Sequence, residues 1–287
     1  MEVKRKGQRG TVGAEVLKRN TVGEMEWLTF PALEKTGMVR HLFTTRFGGG
    51  SEGIFASMNL SYTRGDRKEA VDGNFRRVAK ALGCAIEDFV CADQTHTTNI
   101  RKVTAADRGK GVTKPKDYQD TDGLITNEAG VVLVTFYADC VPLFLVDRKN
   151  RAIGLSHSGW KGTVGRMGAC TLAAMEKAYG TKPEDVTAAI GPSICQDCYE
   201  VSGDVAAQFA KEFSGKIADE ILISKGGDKY LLDLWKANFY VFTEAGVPAE
   251  QISVTDICTC CNPDYLFSHR ASQGKRGNMG AFLGLAY

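Results

Sequence analysis

Three side chains that can bind a metal or carry out nucleophilic chemistry stand in distinctive local sequences. His96 lies in DQTHTTN, Cys140 in YADCVPLF and His157 in LSHSGWKG, and the chain has only four histidines. Two imidazoles and one thiolate can hold zinc or copper and leave a coordination position open for chemistry. The same residues could form a cysteine nucleophile with a histidine base, so the residue types leave both interpretations open.

The spacing of this trio requires that it assemble from separate elements. His96 lies 44 residues before Cys140, and His157 lies 17 residues after it, so no compact local motif joins them. Residues 152–166 read as strand, tight turn and helix, which places His157 at the carboxyl end of a strand, where α/β sheets bind ligands. A break in the strand pattern at Asp139 and Pro142 would aim the Cys140 side chain at a cleft.

Basic residues near these motifs are candidates for binding an anionic substrate group. Lys161 would stand at the start of a helix, where backbone N–H groups also favour phosphate. Arg46 precedes a glycine run in HLFTTRFGGGS, and Arg270 and Arg276 lie in polar segments near the carboxyl end. An arginine can bind phosphate or carboxylate through two hydrogen bonds, although a solvated surface position explains each of them equally well.

Nine cysteines and the absence of a secretory signal indicate reduced thiols and a cytoplasmic protein. Five of the cysteines fall into two short segments that could form a structural zinc site together with His269. Free thiols lining neighbouring loops are the alternative, and the spacing leaves the two open. These cysteines are Cys195, Cys198, Cys258, Cys260 and Cys261.

The elements that position these residues alternate along the chain. Apolar runs predict strands at 39–45, 131–136, 143–147, 152–156, 186–190 and 252–257, and helical periodicity marks 66–82, 163–179 and 233–245. Interleaved strands and helices indicate an α/β fold in layers, with a sheet flanked by helices. Three successive runs between 131 and 156 leave no room for a helix, so we expect them to be antiparallel or meandering and the sheet to be mixed.

Composition indicates an ordinary globular chain of 287 residues with a net charge of +2, which gives no broad attraction for nucleic acid or membranes. No run approaches the length of a membrane span. Residues 1–20 carry six basic and two acidic side chains, a local charge of +4. We therefore predict a flexible basic extension over 1–25, with a loose anionic partner as one option, and a single catalytic domain over 26–287.

The motifs taken together resemble the YfiH family, also called the laccase-domain or polyphenol oxidase family and described as purine nucleoside phosphorylase and adenosine deaminase. The similarity covers about residues 38–287 and rests on these segments: HLFTTRFGGGS, QTH, TDGLIT, YADCVPLFLVD, HSGWKGT, IGPSICQDCYEV and CTCCNPDYLFSHR followed by RGNMGAFLGL. The match departs modestly from the family pattern. Asn278 stands where the family more often has an arginine.

The resemblance implies a layered α/β domain similar to the catalytic domain of cytotoxic necrotizing factors, in which His96, Cys140 and His157 converge. It implies a zinc-dependent enzyme that cleaves adenosine, inosine and methylthioadenosine with phosphate, to free base and (methylthio)ribose 1-phosphate, and that deaminates adenosine. In that mechanism Asp139 is a candidate for shuttling a proton or orienting a ligand, and Arg46, Lys161 and Arg270 are candidates for substrate binding. We expect a monomer or a small homo-oligomer.

Three other functions remain open at this point. Two histidines and a cysteine are also a copper ligand set, although four histidines are few for a multicopper phenol oxidase. Cys140 could be the nucleophile of a hydrolase that edits peptidoglycan precursors, with His157 as its base. A non-enzymatic binding module would leave the trio dispersed in the fold.

Overall fold

The computed structural model of the chain describes residues 2–6 and 16–286. These residues form fifteen strands: β1 Lys18–Val22, β2 Met25–Thr29, β3 Val39–Thr44, β4 Phe89–Cys91, β5 Ile100–Lys102, β6 Gly123–Thr126, β7 Val132–Tyr137, β8 Val141–Asp147, β9 Ala152–Ser158, β10 Val186–Ile190, β11 Glu200–Ser202, β12 Leu222–Gly226, β13 Lys229–Leu232, β14 Ile252–Val254 and β15 Met279–Leu285. Seven α-helices accompany them: α1 Pro31–Glu34, α2 Lys68–Leu82, α3 Trp160–Val164, α4 Met167–Tyr179, α5 Gly203–Glu212, α6 Lys216–Ile221 and α7 Leu234–Glu244.

Two six-stranded mixed sheets form the centre of the domain. The first sheet has the order β1-β2-β3-β15-β7-β4, and the second has the order β14-β10-β8-β9-β6-β5. Most neighbours are antiparallel, but β4 is parallel to β7, and β5 and β14 are parallel to their partners β6 and β10. A third, three-stranded sheet has the order β11-β13-β12. The predicted layered fold with mixed strands is confirmed, with two large sheets in place of one.

Apolar side chains from the two large sheets meet to form the central core, in which Phe43 and Leu133 of the first sheet lie with Phe144 and Leu155 of the second. The outer face of the first sheet packs against α2. The outer face of the second sheet packs against α4 and α7. The domain is therefore a sandwich of four layers, helix, sheet, sheet and helices, which buries both faces of the central strands of each large sheet.

Helix α2 shows how closely periodicity predicts a local element. Its buried face carries the apolar residues expected from the sequence, and Gly83 ends it in a left-handed conformation with a φ of 65°. Glycine adopts that conformation without strain, which explains why the helix stops there. The helices α4 and α7 also lie within the ranges predicted for them.

The run of strands between 131 and 156 differs from the prediction. Strands β8 and β9 form the expected antiparallel hairpin, but β7 belongs to the other sheet and pairs with β15 and β4. The short connection of residues 138–140 therefore carries the chain from the first sheet to the second. Asp139 has a φ of 89°, a sharp local turn that makes this crossing possible.

The predicted extension over 1–25 is wrong in its second part, because β1 and β2 form an antiparallel hairpin at the edge of the first sheet. Glu26 anchors this hairpin: its carboxylate accepts hydrogen bonds from Arg19 at 2.8 and 2.9 Å and from the hydroxyl of Tyr265. Further upstream, the backbone N–H of Lys4 donates to the side chain of Asn262 at 2.7 Å. The flexibility predicted for residues 7–15 lies outside the described residues.

Across the described ranges, no helix combines the length and the apolar character that crossing a lipid bilayer would demand.

Candidate metal centre and substrate cleft

His157 lies near the carboxyl end of β9, just before α3, as the strand–turn–helix pattern predicts. It is the penultimate residue of β9 and is almost fully buried, at 4% exposure. Its Nδ1 lies 2.8 Å from Oδ1 of Asp122, and its backbone N–H donates to the carbonyl of Asp122 at 2.8 Å. With Nδ1 committed to the carboxylate, Nε2 is the atom that faces a metal or a substrate.

His96 lies on the loop between β4 and β5, and Asp122 organises this loop as well. The Asp122 carboxylate accepts hydrogen bonds from the backbone N–H groups of Thr95, His96 and Thr97, at 3.1, 3.1 and 2.8 Å. His96 itself has a φ of 66°, in the left-handed region that non-glycine residues seldom adopt. The fully buried Asp122 therefore fixes both imidazoles.

Cys140 follows Asp139 at the crossing from β7 to β8. The backbone of Gly159 packs closely against the side chains of Cys140 and His96. A β-carbon at position 159 would lie 3.0 Å from both Sγ of Cys140 and Cδ2 of His96. The loop that carries His96 also leads from the first sheet to the second, since β4 and β5 belong to different sheets. The site thus lies on the seam between the two sheets.

The structure brings the predicted trio together. One donor atom from each of His96, Cys140 and His157 lies within 4.8 Å of the others, and Sγ of Cys140 is 4.0 Å from Nε2 of His96. The two imidazole rings are nearly perpendicular, with centroids 5.0 Å apart. This convergence removes the dispersed arrangement that a pure binding module would require.

The protonation states of Cys140 and His157 depend on each other. Burial opposes ionisation of Cys140, but His157 and His96 outweigh it and lower the pKa of the thiol to about 6. Burial also opposes protonation of His157, but Cys140 and Asp122 raise the pKa of that imidazole to about 9. Despite burial, hydrogen bonds from His157 and Thr97 lower the pKa of Asp122 to about 2. The site therefore favours a thiolate beside positively charged or metal-bound imidazoles.

The donor set fits a metal ion with an open coordination position. One thiolate and two imidazoles are a familiar ligand set for zinc and for copper, and the hydrogen bond from His157 to Asp122 is the outer-shell contact that such sites use. His96 is exposed and Cys140 is half-buried, so one side of the trio faces solvent. A substrate can therefore approach the trio from the open side.

A cleft of about 960 Å³ opens beside the trio. All three trio residues line it, and two arginines, Arg64 and Arg276, line it as well. A volume of this size accommodates a nucleoside-sized ligand together with an anion.

Arg276 is the more informative of the two arginines because its guanidinium is buried and forms no ion pair with any of the described residues. Only 9% of the residue is exposed, and its hydrogen-bond partners are the carbonyl of Gly277, the side-chain oxygen of Asn278 and Nδ1 of His269. Its Nε is buried and has no partner among the residues that the structure describes. Burial and the positive charge of Arg64 lower the pKa of Arg276 to about 10, and the negative charges of Asp139 and Cys140 offset this only in part.

A smaller cavity of about 270 Å³ lies on the other side of His96 and Cys140. Lys161 lines it together with Asp139 and Tyr199, which places this predicted substrate-binding lysine next to the trio. Its amino group lies 5.6 Å from the ring centroid of Trp160.

Arg46 and Arg270, the other predicted substrate contacts, are held by the backbone. Arg46 donates to the carbonyls of Ala56 and Pro263 at 3.0 and 2.6 Å, and Arg270 donates to those of Cys198 and Glu200 at 3.1 and 2.9 Å. Neither belongs to the described residues that line the cleft or the smaller cavity. Their guanidinium groups stabilise loops around the site.

The Asp139 carboxylate is likewise engaged on both oxygens. Oδ1 accepts from the hydroxyl of Thr259 at 2.6 Å, and Oδ2 accepts from the backbone N–H of Arg270 at 2.7 Å. These contacts tie the Cys140 turn to the carboxyl-terminal loop. They favour a positioning role for Asp139 over proton transfer.

Sequence reasoning missed Asp122 and Arg64, and it named Arg276 without assigning it to the site. Asp122 stands immediately before β6 in the segment TDGLIT. An acidic residue at the edge of a buried apolar strand was a usable signal, because a buried carboxylate needs several donors. Nothing local distinguishes Arg276 from the exposed arginines around it, since its burial depends on residues far away in the chain.

Comparisons with known proteins agree with this geometry. A family model described as multi-copper polyphenol oxidoreductase laccase matches residues 40–286. The chain is 38% identical over 248 residues to a Bacillus subtilis protein named purine nucleoside phosphorylase YlmD, an alignment that covers 85% of this chain and 87% of that protein. It is 32% identical over 229 residues to adenosine deaminase RL5 from an unknown prokaryotic organism, covering 79% and 86%.

A solved structure extends the agreement to the whole fold. The crystal structure of the hypothetical protein YfiH from Bacillus licheniformis matches with a TM-score of 0.85 and 34% sequence identity, over 92% of this chain and 97% of that chain. Sequence match, fold and the converging trio therefore lead to one assignment: the chain belongs to the multi-copper polyphenol oxidoreductase laccase family, the YfiH family that its motifs resemble.

Proposed function

We propose that this chain is a zinc-dependent purine nucleoside enzyme. It cleaves adenosine, inosine and methylthioadenosine with phosphate, and it deaminates adenosine. The observation that carries the proposal is that three potential metal donors and the buried Arg276, which forms no ion pair with the described residues, line one cleft. Relatives named purine nucleoside phosphorylase and adenosine deaminase support the substrate class. We place this activity in the cytoplasm, where the thiols of the nine cysteines stay reduced.

In phosphorolysis a phosphate oxygen bonds to C1′ of the ribose while the bond from C1′ to the purine nitrogen breaks. The purine leaves with the electron pair and takes up a proton. Arg276 and Arg64 line the cleft and supply positive charge for the phosphate. A phosphate beside Arg276 would offset part of the free-energy cost of burying this cation.

In deamination a water oxygen bonds to C6 of the purine, and the amino group leaves as ammonia. His96, Cys140 and His157 would hold zinc, which supplies a Lewis acid that activates water near neutral pH. Asp122 keeps the two imidazoles in position throughout, through the loop backbone and through Nδ1 of His157. This reaction consumes no phosphate, so it does not depend on the arginines in the same way.

The two reactions can therefore be separated by one substitution. Arg276→Gln should raise the KM for phosphate in phosphorolysis by about 10- to 100-fold, the effect of losing one charged hydrogen bond, while deamination of adenosine is largely retained. Chromatography of reactions with adenosine, inosine or methylthioadenosine, with and without phosphate, measures both. Arg46→Gln and Arg270→Gln are the matched controls, because their guanidiniums contact backbone carbonyls outside the cleft.

A wild-type protein that forms no inosine, hypoxanthine, adenine or ribose 1-phosphate would overturn the proposed function. A larger effect of Arg46→Gln or Arg270→Gln than of Arg276→Gln would instead move the phosphate to the residues predicted from sequence.

A cysteine hydrolase is the second candidate, and one observation favours it. The site contains the three groups that such enzymes use: a nucleophile in Cys140, a base in His157 and, in Asp122, a carboxylate that orients the base. His96 argues against it, since a third donor at the thiol has no part in that arrangement. Chelation decides between the two: a hydrolase retains turnover of an ester or amide substrate after metal removal, whereas the nucleoside enzyme loses its activity.

A multicopper phenol oxidase finds less support, in spite of the description of the family model. Beyond the trio, the remaining histidines are His41 and His269. His41 is buried and its Nε2 accepts from the backbone of Phe30, and His269 contacts Arg276. Neither extends the trio to the several copper sites that such oxidation requires.

A further inference from the structure

The second cluster of cysteines lies away from the substrate cleft and has the form of a metal site. Cys195, Cys198, Cys258 and Cys261 each offer one sulfur, and all four sulfurs lie within 4.8 Å of one another. The first pair belongs to the loop after β10, and the second pair to the loop after β14. We propose that these four thiolates bind a structural zinc ion, independent of the ion proposed for the trio.

The spacing of the sulfurs matches a single tetrahedral ion. Sγ of Cys261 lies 3.9 Å from that of Cys195 and 3.4 Å from that of Cys198. Four sulfurs at a zinc–sulfur distance of about 2.3 Å stand about 3.8 Å apart along each edge of the tetrahedron. A disulfide would bring two sulfurs to about 2.05 Å. A cluster with bridging sulfides would push the cysteines farther apart than one ion does.

Backbone geometry around the cluster also suits thiolates. Sγ of Cys258 accepts from the backbone N–H of Cys195 at 3.2 Å and from that of Cys261 at 3.4 Å. Such hydrogen bonds to sulfur offset the negative charge of a tetrathiolate site and orient its ligands. Each pair has two intervening residues, the spacing found in structural zinc sites.

The surroundings give the cluster both protection and a compensating cation. Cys195 and Cys258 are buried, and the other two cysteines are half-buried, so the group is largely shielded from solvent. Lys6 forms an ion pair with Asp197 at 2.8 Å and lies close enough to Cys195 and Cys261 to interact with their charges. Lys6 thereby places a positive charge next to the cluster.

A zinc ion here would connect the loop after β10 to the loop after β14, and both loops contact the active site. Thr259, between the cysteines of the second pair, holds the Asp139 carboxylate next to Cys140. Tyr199, directly after the first pair, lines the smaller cavity, and the carbonyl of Cys198 accepts from Arg270. The cluster therefore positions the Cys140 turn from outside without touching substrate.

The test uses the full chain with the trio disabled. His96→Ala/His157→Ala removes two of the three donors at the cleft, and the purified protein should retain one zinc per chain by elemental analysis. X-ray absorption should show four sulfur neighbours at about 2.3 Å. Cys258→Ser/Cys261→Ser in the same background should lose this zinc. Cys260→Ser is the matched control and should retain it, because Cys260 lies outside the group of four.

A second measurement keeps the proposal testable if the double cysteine variant does not fold. A mercurial reagent added to the trio variant should release zinc as four thiols react, followed with a coloured zinc indicator. A zinc-free trio variant, iron in place of zinc, or a mass lower by two hydrogens from a disulfide would each overturn the proposal. None of these outcomes bears on the nucleoside reactions, since the readout is metal content.

Discussion

Asp122 accepts five hydrogen bonds, three of them from the backbone of residues 95–97, one from the hydroxyl of Thr97 and one from Nδ1 of His157. No other residue contacts both histidine-bearing segments in this way among those that the structure describes. The carboxylate thus sets the tautomer of one imidazole and the backbone course of the other, which makes its substitution the sharpest test of the metal centre.

Asp122→Asn should lower the zinc affinity of the trio by roughly 10- to 100-fold, as loss of an outer-shell carboxylate does at other sites. An amide places an N–H donor against groups that themselves donate, so the loop around His96 loosens. Competition with a coloured chelator measures the affinity. Asp120→Asn is the control, because Asp120 is exposed and accepts from the Thr95 hydroxyl at 2.7 Å. Equal affinities for the two variants would show that Asp122 does not hold the ligands.

Gly159→Ala tests the packing at the trio directly. The backbone at 159 has a φ of −73°, which any residue adopts, so the effect is steric. The added methyl lies 3.0 Å from both Sγ of Cys140 and Cδ2 of His96, and it should displace them and reduce zinc affinity. Gly162→Ala is the control, since its methyl meets its nearest neighbour at 3.4 Å. Calorimetric titration with zinc measures both variants; unchanged affinity for Gly159→Ala would mean that the ligands adapt freely.

Individual residues of the site could be predicted where chemistry and local pattern coincide. The trio combines rare residue types with strand–turn motifs, and the family resemblance joined them. Arg46 and Arg270 illustrate what local sequence cannot decide: an arginine in a polar loop has the same appearance whether it faces an anion or a backbone carbonyl. Only the fold reveals that Arg276 is the buried cation.

At the scale of elements, the hairpin of β1 and β2 is an element that the hydrophobic pattern of the sequence does not predict. The strand β1 is exposed or half-buried along its whole length, so it carries no alternation of apolar and polar residues. Its basic composition therefore resembles a flexible tail. Glu26 holds the hairpin through Arg19, only seven residues away on β1, and through Tyr265, which is 239 residues away. A contact over the second distance leaves no trace in the local sequence.

Glu26→Gln should lower the free energy of unfolding at pH 7 by about 1.5–3 kcal/mol, the range for hydrogen bonds to a charged group. Burial raises the pKa of Glu26, but hydrogen bonds from Arg19 and Tyr265 overcome this and leave the pKa below the usual 4.5. The stabilisation is therefore present above pH 4.5 and is lost as the pH falls through the pKa of the folded state.

Urea unfolding at pH 7 and below pH 4 measures this difference, which should shrink at the lower pH. Glu24→Gln, in the exposed turn of the same hairpin, should leave stability unchanged at both values. A constant difference between Glu26→Gln and wild type at the two pH values would contradict an ionised Glu26 as the anchor.

Long-range pairing also explains the misplacement of β7. Its apolar run is continuous with those of β8 and β9, so proximity in sequence favoured one meander. The left-handed turn at Asp139 instead sends the chain across the core to the second sheet. A non-glycine residue in that conformation cannot be read from composition, whereas Gly83 at the end of α2 could.

At the scale of the whole molecule, burial of His41 between the two sheets makes the stability of the fold depend on pH. It belongs to β3 and lies in the core, where its Nε2 accepts from the backbone N–H of Phe30 at 2.8 Å and its ring meets the ring of Phe144 from the second sheet. Burial lowers the pKa of His41 from 6.5 to about 3.

Below pH 6.5 the unfolded chain therefore binds a proton at His41 that the folded chain does not bind. Because of this difference in protonation, the free energy of unfolding should fall by up to about 1.4 kcal/mol for each unit by which the pH decreases. Between pH 6.5 and 4.5, before most carboxylates titrate, urea unfolding should show this slope in the wild type and a flatter one in His41→Gln. His269→Gln is the comparison variant: burial and the charge of Arg276 also lower the pKa of this more exposed imidazole, so we expect its substitution to flatten the slope less than His41→Gln does. Parallel slopes for wild type and His41→Gln would refute the assignment.

The seam between the sheets has a mechanical consequence. Both loops that bear His96 and Cys140 cross from one sheet to the other, while His157 is fixed to the second sheet alone. An ion bound by all three residues would connect the two sheets and oppose movement of one sheet relative to the other. Its occupancy would then raise the melting temperature of the whole domain as well as enable chemistry, in proportion to the logarithm of the free metal concentration.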